Sequence, residues 1–341
     1  MPDFPYINAR VRAMRGRLLA PTQLEDLLAA ASLPALIQAL AATPYGHDLQ
    51  EALTRYEGVR AVDDALARNL QRTTRRILEF ADGPPHRLIT ILLLRWDLAN
   101  LRAIVRGRHA GRSAGETLEA VIPAGTLGEG VLREMAGSPT MTALAGALEV
   151  VNHPLAPALA AGVAEDARTN DPLAIELSLE RAYAEYVLRQ ARGAGARALR
   201  EILTAELDAA NVKTALKLAP AGLPDEQRLR FFTPGGALVT DRLFLDLSDE
   251  GRQARAWARL RAQGFPVKEL PRDLVAFERT LDAAMAATLA QRYVRGDPLG
   301  LDIVTGYLTM KSAEVANLRL IARGVLLGLP RELVRREMVR V

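Results

Sequence analysis

Few residues in this sequence could do chemistry, and their spacing argues against most of it. The histidines are His47, His86, His109 and His153, and the nearest two lie 23 positions apart. A helical zinc pair of the HExxH kind needs two histidines four residues apart, so no such pair exists and no metal site is expected. Gly111-Arg-Ser113-Ala-Gly115 fits the nucleophile-elbow pattern GxSxG. That elbow requires a strand before the serine and a helix after it. Here a helix ending at Gly107 comes first, and Ser113 with Glu116 reads as a capping box opening a helix over 117–122. Gly125-Thr-Leu-Gly-Glu-Gly130 is rich in glycine but lacks the Gly-Lys-Ser/Thr of a phosphate-binding loop, so no ATP site is expected. The acidic pairs Asp63-Asp64 and Asp249-Glu250 read as solvated helix faces. Cysteine is absent, which excludes disulfides, thiolate metal sites, iron–sulfur clusters and a cysteine nucleophile. That absence fits a reducing compartment. The expectation is no catalytic residue, no cofactor and no metal.

The elements that such residues would need are helices. With 341 residues, 49% apolar and 25% charged, the chain has the composition of a globular protein of two to three domains. Aromatics make up only 5%, against an all-β sandwich or a base-stacking nucleic-acid binder. The 44 bases include only four lysines, leaving 40 arginines, but 40 acids are interspersed among them. No block of five like charges exists, so nucleic-acid binding is not expected. The most apolar run, 88–94, is bracketed by Arg87 and Arg95 and is far shorter than a membrane span of about 20 residues. The opening MPDFPYINARVR contains no apolar signal core, so nothing suggests export.

Apolar residues at helical spacing run through 24–40, with Thr22 and Glu25 as a capping box at the start. Asp171-Pro172 and Asp297-Pro298 read as helix N-caps followed by first-turn prolines. Breaks are expected at Asp82-Gly-Pro-Pro85, Gly193-Ala-Gly195, Pro220-Ala-Gly222 and Pro234-Gly-Gly236. Only 243–247 hints at a strand. The fold class expected is all-α.

One segment occurs three times, at 92–107, 203–218 and 309–324. Aligned on Asn100, Asn211 and Asn317, each copy has an acid three residues earlier (Asp97, Asp208, Glu314) and an alanine immediately before the asparagine. A base follows at two residues (Arg102, Lys213, Arg319) and again at six (Arg106, Lys217, Arg323). The asparagines are 111 and 106 residues apart. A second marker keeps the same step: Gly16-x-Leu18, Gly125-x-Leu127 and Gly236-x-Leu238. Two markers in one order at one spacing indicate three related helical domains, placed at 1–115, 116–224 and 225–341. At 100° per residue, Leu94, Leu98, Leu101 and Val105 form an apolar stripe. Asp97 and Asn100 share one edge of it, and Arg102 and Arg106 lie on the other. The asparagine amide is suited to tying a neighbouring loop, and the last base to the negative end of its helix. The alternative is that these polar edges face a shared surface that holds a partner.

At these residues the sequence resembles a known family, the C subunits of vacuolar-type and archaeal-type rotary ATPases, whose eukaryotic counterpart is the d subunit of the vacuolar enzyme. The opening Tyr6-Ile-Asn8-Ala9-Arg10-Val11-Arg12-Ala-Met14, followed by Leu18-Leu19, is similar to that family's N-terminal signature. The three acid-x-Ala-Asn helices are similar to its triplicated motif. Tyr45-Gly46 and the tail, with Lys311, Glu314, Asn317, Arg319 and Gly328-Leu329-Pro330, agree with it. Lys213 departs from the arginine of the other copies and loses planar, bidentate hydrogen bonding. The resemblance covers essentially the whole chain. It implies a non-catalytic central-stalk component, with three helical domains in a pseudo-threefold funnel. Its partners would be the central shaft subunits and the membrane proteolipid ring, with no nucleic acid and no span of its own. The location implied is the cytoplasmic face of the membrane, as a peripheral part of the complex. The competing expectation is a generic all-helical scaffold binding acidic or helical partners.

Overall fold

The computed structural model describes residues 4–341, except the side chain of Ala194. About 73% of the chain is helical, and the described residues form no strand, so the protein is all-α. Helices α1 (Pro5–Arg15), α2 (Pro21–Leu28), α3 (Leu33–Ala41), α4 (Gly46–Leu53), α5 (Gly58–Glu79) and α6 (Gly83–His109) come first. They are followed by α7 (Ala114–Leu118), α8 (Glu129–Gly137), α9 (Met141–Val150), α10 (Ala156–Thr169), α11 (Leu173–Gln190) and α12 (Arg197–Leu218). The last are α13 (Asp225–Leu229), α14 (Asp241–Leu247), α15 (Glu250–Ala262), α16 (Leu274–Arg295), α17 (Asp302–Leu326) and α18 (Arg331–Glu337). The longest helices fall in three consecutive pairs: α5–α6, α11–α12 and α16–α17. The second member of each pair carries one copy of the repeated motif.

Several expected boundaries are corrected by local chemistry. Residues 24–40 are not one helix: α2 stops at Leu28, and Ser32 restarts the chain as α3 by accepting from the Ala35 N–H. Pro34 sits in the first turn of α3, where a missing N–H costs nothing. At the start of α2 the capping side chain is Gln23, which accepts from the Ala20 N–H at 2.8 Å, and not a Thr22–Glu25 pair. Asp297 caps no helix. Its carboxylate holds a turn at Leu299, and α17 begins at Asp302. Asp171 accepts from the Leu173 N–H at 3.2 Å, at the start of α11. The strand hint at 243–247 is overturned: these residues lie in α14, which Thr240 caps through the Leu243 N–H. The Ser113–Glu116 capping box is present, but its helix covers Ala114–Leu118.

The chain divides into two compact units. One comprises the residues up to Asp97 together with Ile122–Gly128 and Ala286–Val341. Its core joins Leu36, Leu40 and Leu49 to Leu66 of α5 and to Leu318 and Ile321 of α17. Helices α3 and α5, from the first quarter of the chain, therefore pack against α17, near its end. The other unit comprises Leu98–Val121 and Glu129–Met285. One core within it packs Val212 and Leu216 of α12 against Phe244, Leu247, Trp257 and Leu281. Trp257 meets Phe265 and Phe277 edge-on at 5.8 and 5.7 Å. At Gly162 an added Cβ would lie 2.7 Å from the Ile175 Cα, so glycine is what lets α10 lie close against α11.

Candidate functional site: the repeated acid, asparagine and base

The acids of the repeated motif are buried and are spent on backbone. Asp97 is fully buried and accepts from the Thr126 N–H, the Thr126 hydroxyl and the Leu127 N–H at 2.8, 2.7 and 3.0 Å. Asp208 accepts from the N–H groups of Ala237, Leu238 and Val239 at 2.9, 3.0 and 2.8 Å. Each acid thus holds the Gly-x-Leu loop that follows its own helix. The glycines of these loops admit the carboxylate: an added Cβ would lie 2.0 Å from an Asp97 oxygen at Gly125, and 2.1 Å from an Asp208 oxygen at Gly236. Burial raises the Asp208 carboxyl above the usual aspartate range, and the three N–H bonds offset part of that rise.

The third acid uses the same chemistry over a longer reach. Glu314 accepts from the Leu19 N–H at 2.5 Å, beside the first Gly-x-Leu marker. It also accepts from the Tyr45 hydroxyl at 2.6 Å and from the Lys311 ammonium at 2.9 Å. The same ammonium donates to the Tyr45 oxygen at 2.8 Å and lies 4.2 Å from the Tyr45 ring centre. Burial lowers the Lys311 amine below the usual lysine value, against the pull of Glu314, and raises the Tyr45 phenol. Around Gly16 no carboxylate comes near, and the closest atom to an added Cβ is the Ala13 oxygen at 3.6 Å.

The asparagines are buried in all three copies. Asn211 donates to the Thr233 carbonyl at 2.7 Å and accepts from the Thr233 N–H at 3.0 Å. Asn317 repeats this with Val339, at 2.9 and 2.7 Å. Both span 22 residues, and each amide matches the donor and acceptor of one backbone unit, as a strand partner would.

The bases are turned to carboxylates on the first helix of a long pair. Arg106 makes a two-pronged bond to Glu176 of α11, at 2.7 and 2.5 Å. Arg102 reaches Glu176 at 3.1 Å and Glu180 at 2.5 Å. In the second copy Lys213 pairs with Asp282 and Lys217 with Glu278, both on α16. In the third copy Arg319 and Arg323 meet Asp63 of α5 at 3.4 and 3.0 Å. Burial works to raise the Glu176 carboxyl, but the bonds and charge of Arg106, with Arg102, outweigh it and hold the group below 4.5. Glu180, with burial dominant, is raised.

Sequence reasoning missed these partner acids. Asp63 is not a solvated face residue, because two guanidinium groups close on it. The missed signal is positional: Asp63, Glu176 and Asp282 precede their asparagines by 37, 35 and 35 residues. Asn8 also gains a role only in the fold. Its amide donates to the carbonyls of Pro298 and Gly300 at 2.9 and 3.0 Å.

Among the described residues no group of three or more His, Asp or Glu could hold a metal. Among these residues no helix is long and apolar enough to cross a membrane. The arrangement is a set of braces.

Residues 7–337 match the model of the ATP synthase (C/AC39) subunit family. The chain belongs to that family. Its members are non-catalytic subunits of V- and A-type ATP synthases. The chain is 35% identical over 337 residues to the C subunit of the V-type ATP synthase of Thermus thermophilus, covering 99% of this chain and 98% of that protein. It is 34% identical to the C subunit of the V-type ATP synthase of Deinococcus radiodurans, over 99% of this chain and 92% of that one. The C subunit of the A-type ATP synthase of Haloferax volcanii is 30% identical, over 98% and 97% of the two chains. In this C/AC39 chain the motif acids, asparagines and bases are therefore parts of a protein that supports an ATPase without performing its chemistry.

Proposed function

We propose that this C/AC39 protein is the socket of the central stalk, joining the rotor shaft to the membrane proteolipid ring on the cytoplasmic face. The observation that carries the reading is the repeated brace. Each motif helix spends an acid on backbone N–H groups in or beside a Gly-x-Leu marker, and its bases on carboxylates of another long helix. A part that transmits torque needs elements that do not slide, and buried carboxylate–amide bonds with ion pairs beside them supply that stiffness. Three domains, at 1–115, 116–224 and 225–341, would stand around a funnel axis. The shaft would enter the wide end, and the ring would dock at the closed one. With no spanning helix among the described residues, the chain reaches the membrane by docking on an embedded partner. Such docking calls for interfaces of at least about 1,200–2,000 Å² of total buried surface.

The test is reconstitution of the ATPase into vesicles with and without this chain. ATP hydrolysis by the soluble head persists without it, while ion uptake driven by that hydrolysis disappears. Tightly coupled uptake in its absence overturns the proposal.

A further inference from the structure

A cavity of about 670 Å³ opens between the C-terminal half of α11, the start of α12 and the loop at 232–235. Four guanidinium groups line it, from Arg181, Arg189, Arg192 and Arg200, against a single carboxylate, Glu185. Glu185 is paired to Arg189 at 3.0 Å. Arg181 donates to the Arg230 carbonyl. Among the described residues neither Arg192 nor Arg200 has a hydrogen-bond or ion-pair partner. Arg200 also lies at the opening of α12, whose first turn holds no acidic residue. The positive end of a helix disfavours a cation there and favours an anion. A local preference broken without internal compensation marks a place where something else supplies the charge.

The cavity also has an apolar side. Leu188, Phe232 and Pro234 line it. Gly235 sits at φ +116°, and an added Cβ would lie 2.3 Å from a Leu188 methyl, so glycine is what brings this loop against α11. Its volume falls within the roughly 300–1,000 Å³ typical of small-ligand sites. Guanidinium forks match phosphate oxygens two at a time. We infer that this cleft binds a phosphate-bearing organic ligand, with its phosphate held by Arg192 and Arg200 and its apolar portion against Leu188, Phe232 and Pro234. The ligand is either a soluble nucleoside phosphate or the headgroup of an anionic phospholipid. Nothing in the cleft activates water or a leaving group, so the ligand is bound and not turned over. The inference rests on the cleft alone and stands or falls apart from the coupling role.

The experiment uses the full chain and four probes: ADP, pyrophosphate and polyglutamate by titration calorimetry, and phosphatidylglycerol vesicles by co-sedimentation, with phosphatidylcholine vesicles as control. One site per chain should saturate with a phosphate probe, and the Arg192→Ala/Arg200→Ala double variant should weaken it at least tenfold. An Arg133→Ala/Arg168→Ala variant, which removes two exposed arginines from outside the cleft, should leave it unchanged. Saturation by ADP or pyrophosphate identifies a soluble ligand, and arginine-dependent binding to phosphatidylglycerol vesicles alone identifies a lipid headgroup. The inference is overturned if no probe binds, if the double variant binds as tightly as the native chain, or if only an acidic peptide such as polyglutamate binds in an Arg192- and Arg200-dependent way.

Discussion

The Leu19 N–H donates to the Glu314 carboxylate at 2.5 Å, across 295 positions of sequence. Through that bond the last motif helix holds a loop near the start of the chain. Lys311 is buried beside the same carboxylate, so the charge that makes the bond strong is itself balanced inside the protein.

Removing one member of that pair should cost far more than removing both. Glu314→Ala strands a buried ammonium and is expected to lose about 3–5 kcal/mol. Lys311→Met combined with Glu314→Leu should lose clearly less, because an apolar pair of similar size needs no counter-charge. Urea unfolding of the two variants beside the native chain decides it. A loss under about 1 kcal/mol for Glu314→Ala alone would mean that the cluster does not hold this unit together.

The repeated asparagines separate a structural role from an interfacial one. Asn211→Leu and Asn317→Leu each leave one backbone N–H and one carbonyl unpaired, at a cost of roughly 1–3 kcal/mol. The check pairs thermal unfolding with binding to the purified ATPase from which this chain has been removed. Unchanged stability with weakened assembly would show that the asparagines serve an interface instead.

The three Gly-x-Leu markers look alike in sequence but should respond differently to alanine. Gly125→Ala and Gly236→Ala drive a methyl into a carboxylate oxygen at 2.0 and 2.1 Å and should each lose about 1–3 kcal/mol. Gly16→Ala meets nothing closer than 3.6 Å, in a helical backbone conformation. It should lie within about 0.5 kcal/mol of the native chain. Equal losses at all three positions would contradict the geometry.

Acid should weaken the Arg106–Glu176 brace in a defined direction. Glu176 is held below its ordinary value of 4.5 in the folded chain. Its contribution is therefore present above about pH 4.5 and fades as the pH falls through the lower, folded value. Glu176→Gln should cost about 0.5–1 kcal/mol at pH 7, the range of partly exposed pairs. The gap to the native chain should close as the pH is lowered. Urea midpoints across that range test this, and a gap that widens on acidification would reverse the sign argued here.

The amino-acid sequence by itself determined that the protein is helical and that it carries one motif three times. Those features are local: a 3.6-residue period and an acid three places before an asparagine. The Ser113–Glu116 cap was legible for the same reason, since its members lie within one turn. Where 24–40 breaks was not, because Ser32 capping Ala35 had to compete with an apolar period that continues across the break.

Only the tertiary structure decided what the motif grips. Arg106 finds Glu176 across 70 positions, and Asn8 finds Gly300 across 292. Nothing at short range distinguishes those partners from other acids and carbonyls of the chain. The tertiary structure also decided that the three copies differ. Glutamate in place of aspartate adds one methylene, which lets Glu314 reach Leu19, Tyr45 and Lys311 together and frees Gly16 from the close approach that Gly125 and Gly236 must allow. A sequence pattern records residue types and spacings. How far a carboxylate reaches, and what is waiting there, depends on chain segments brought together by burying apolar surface elsewhere.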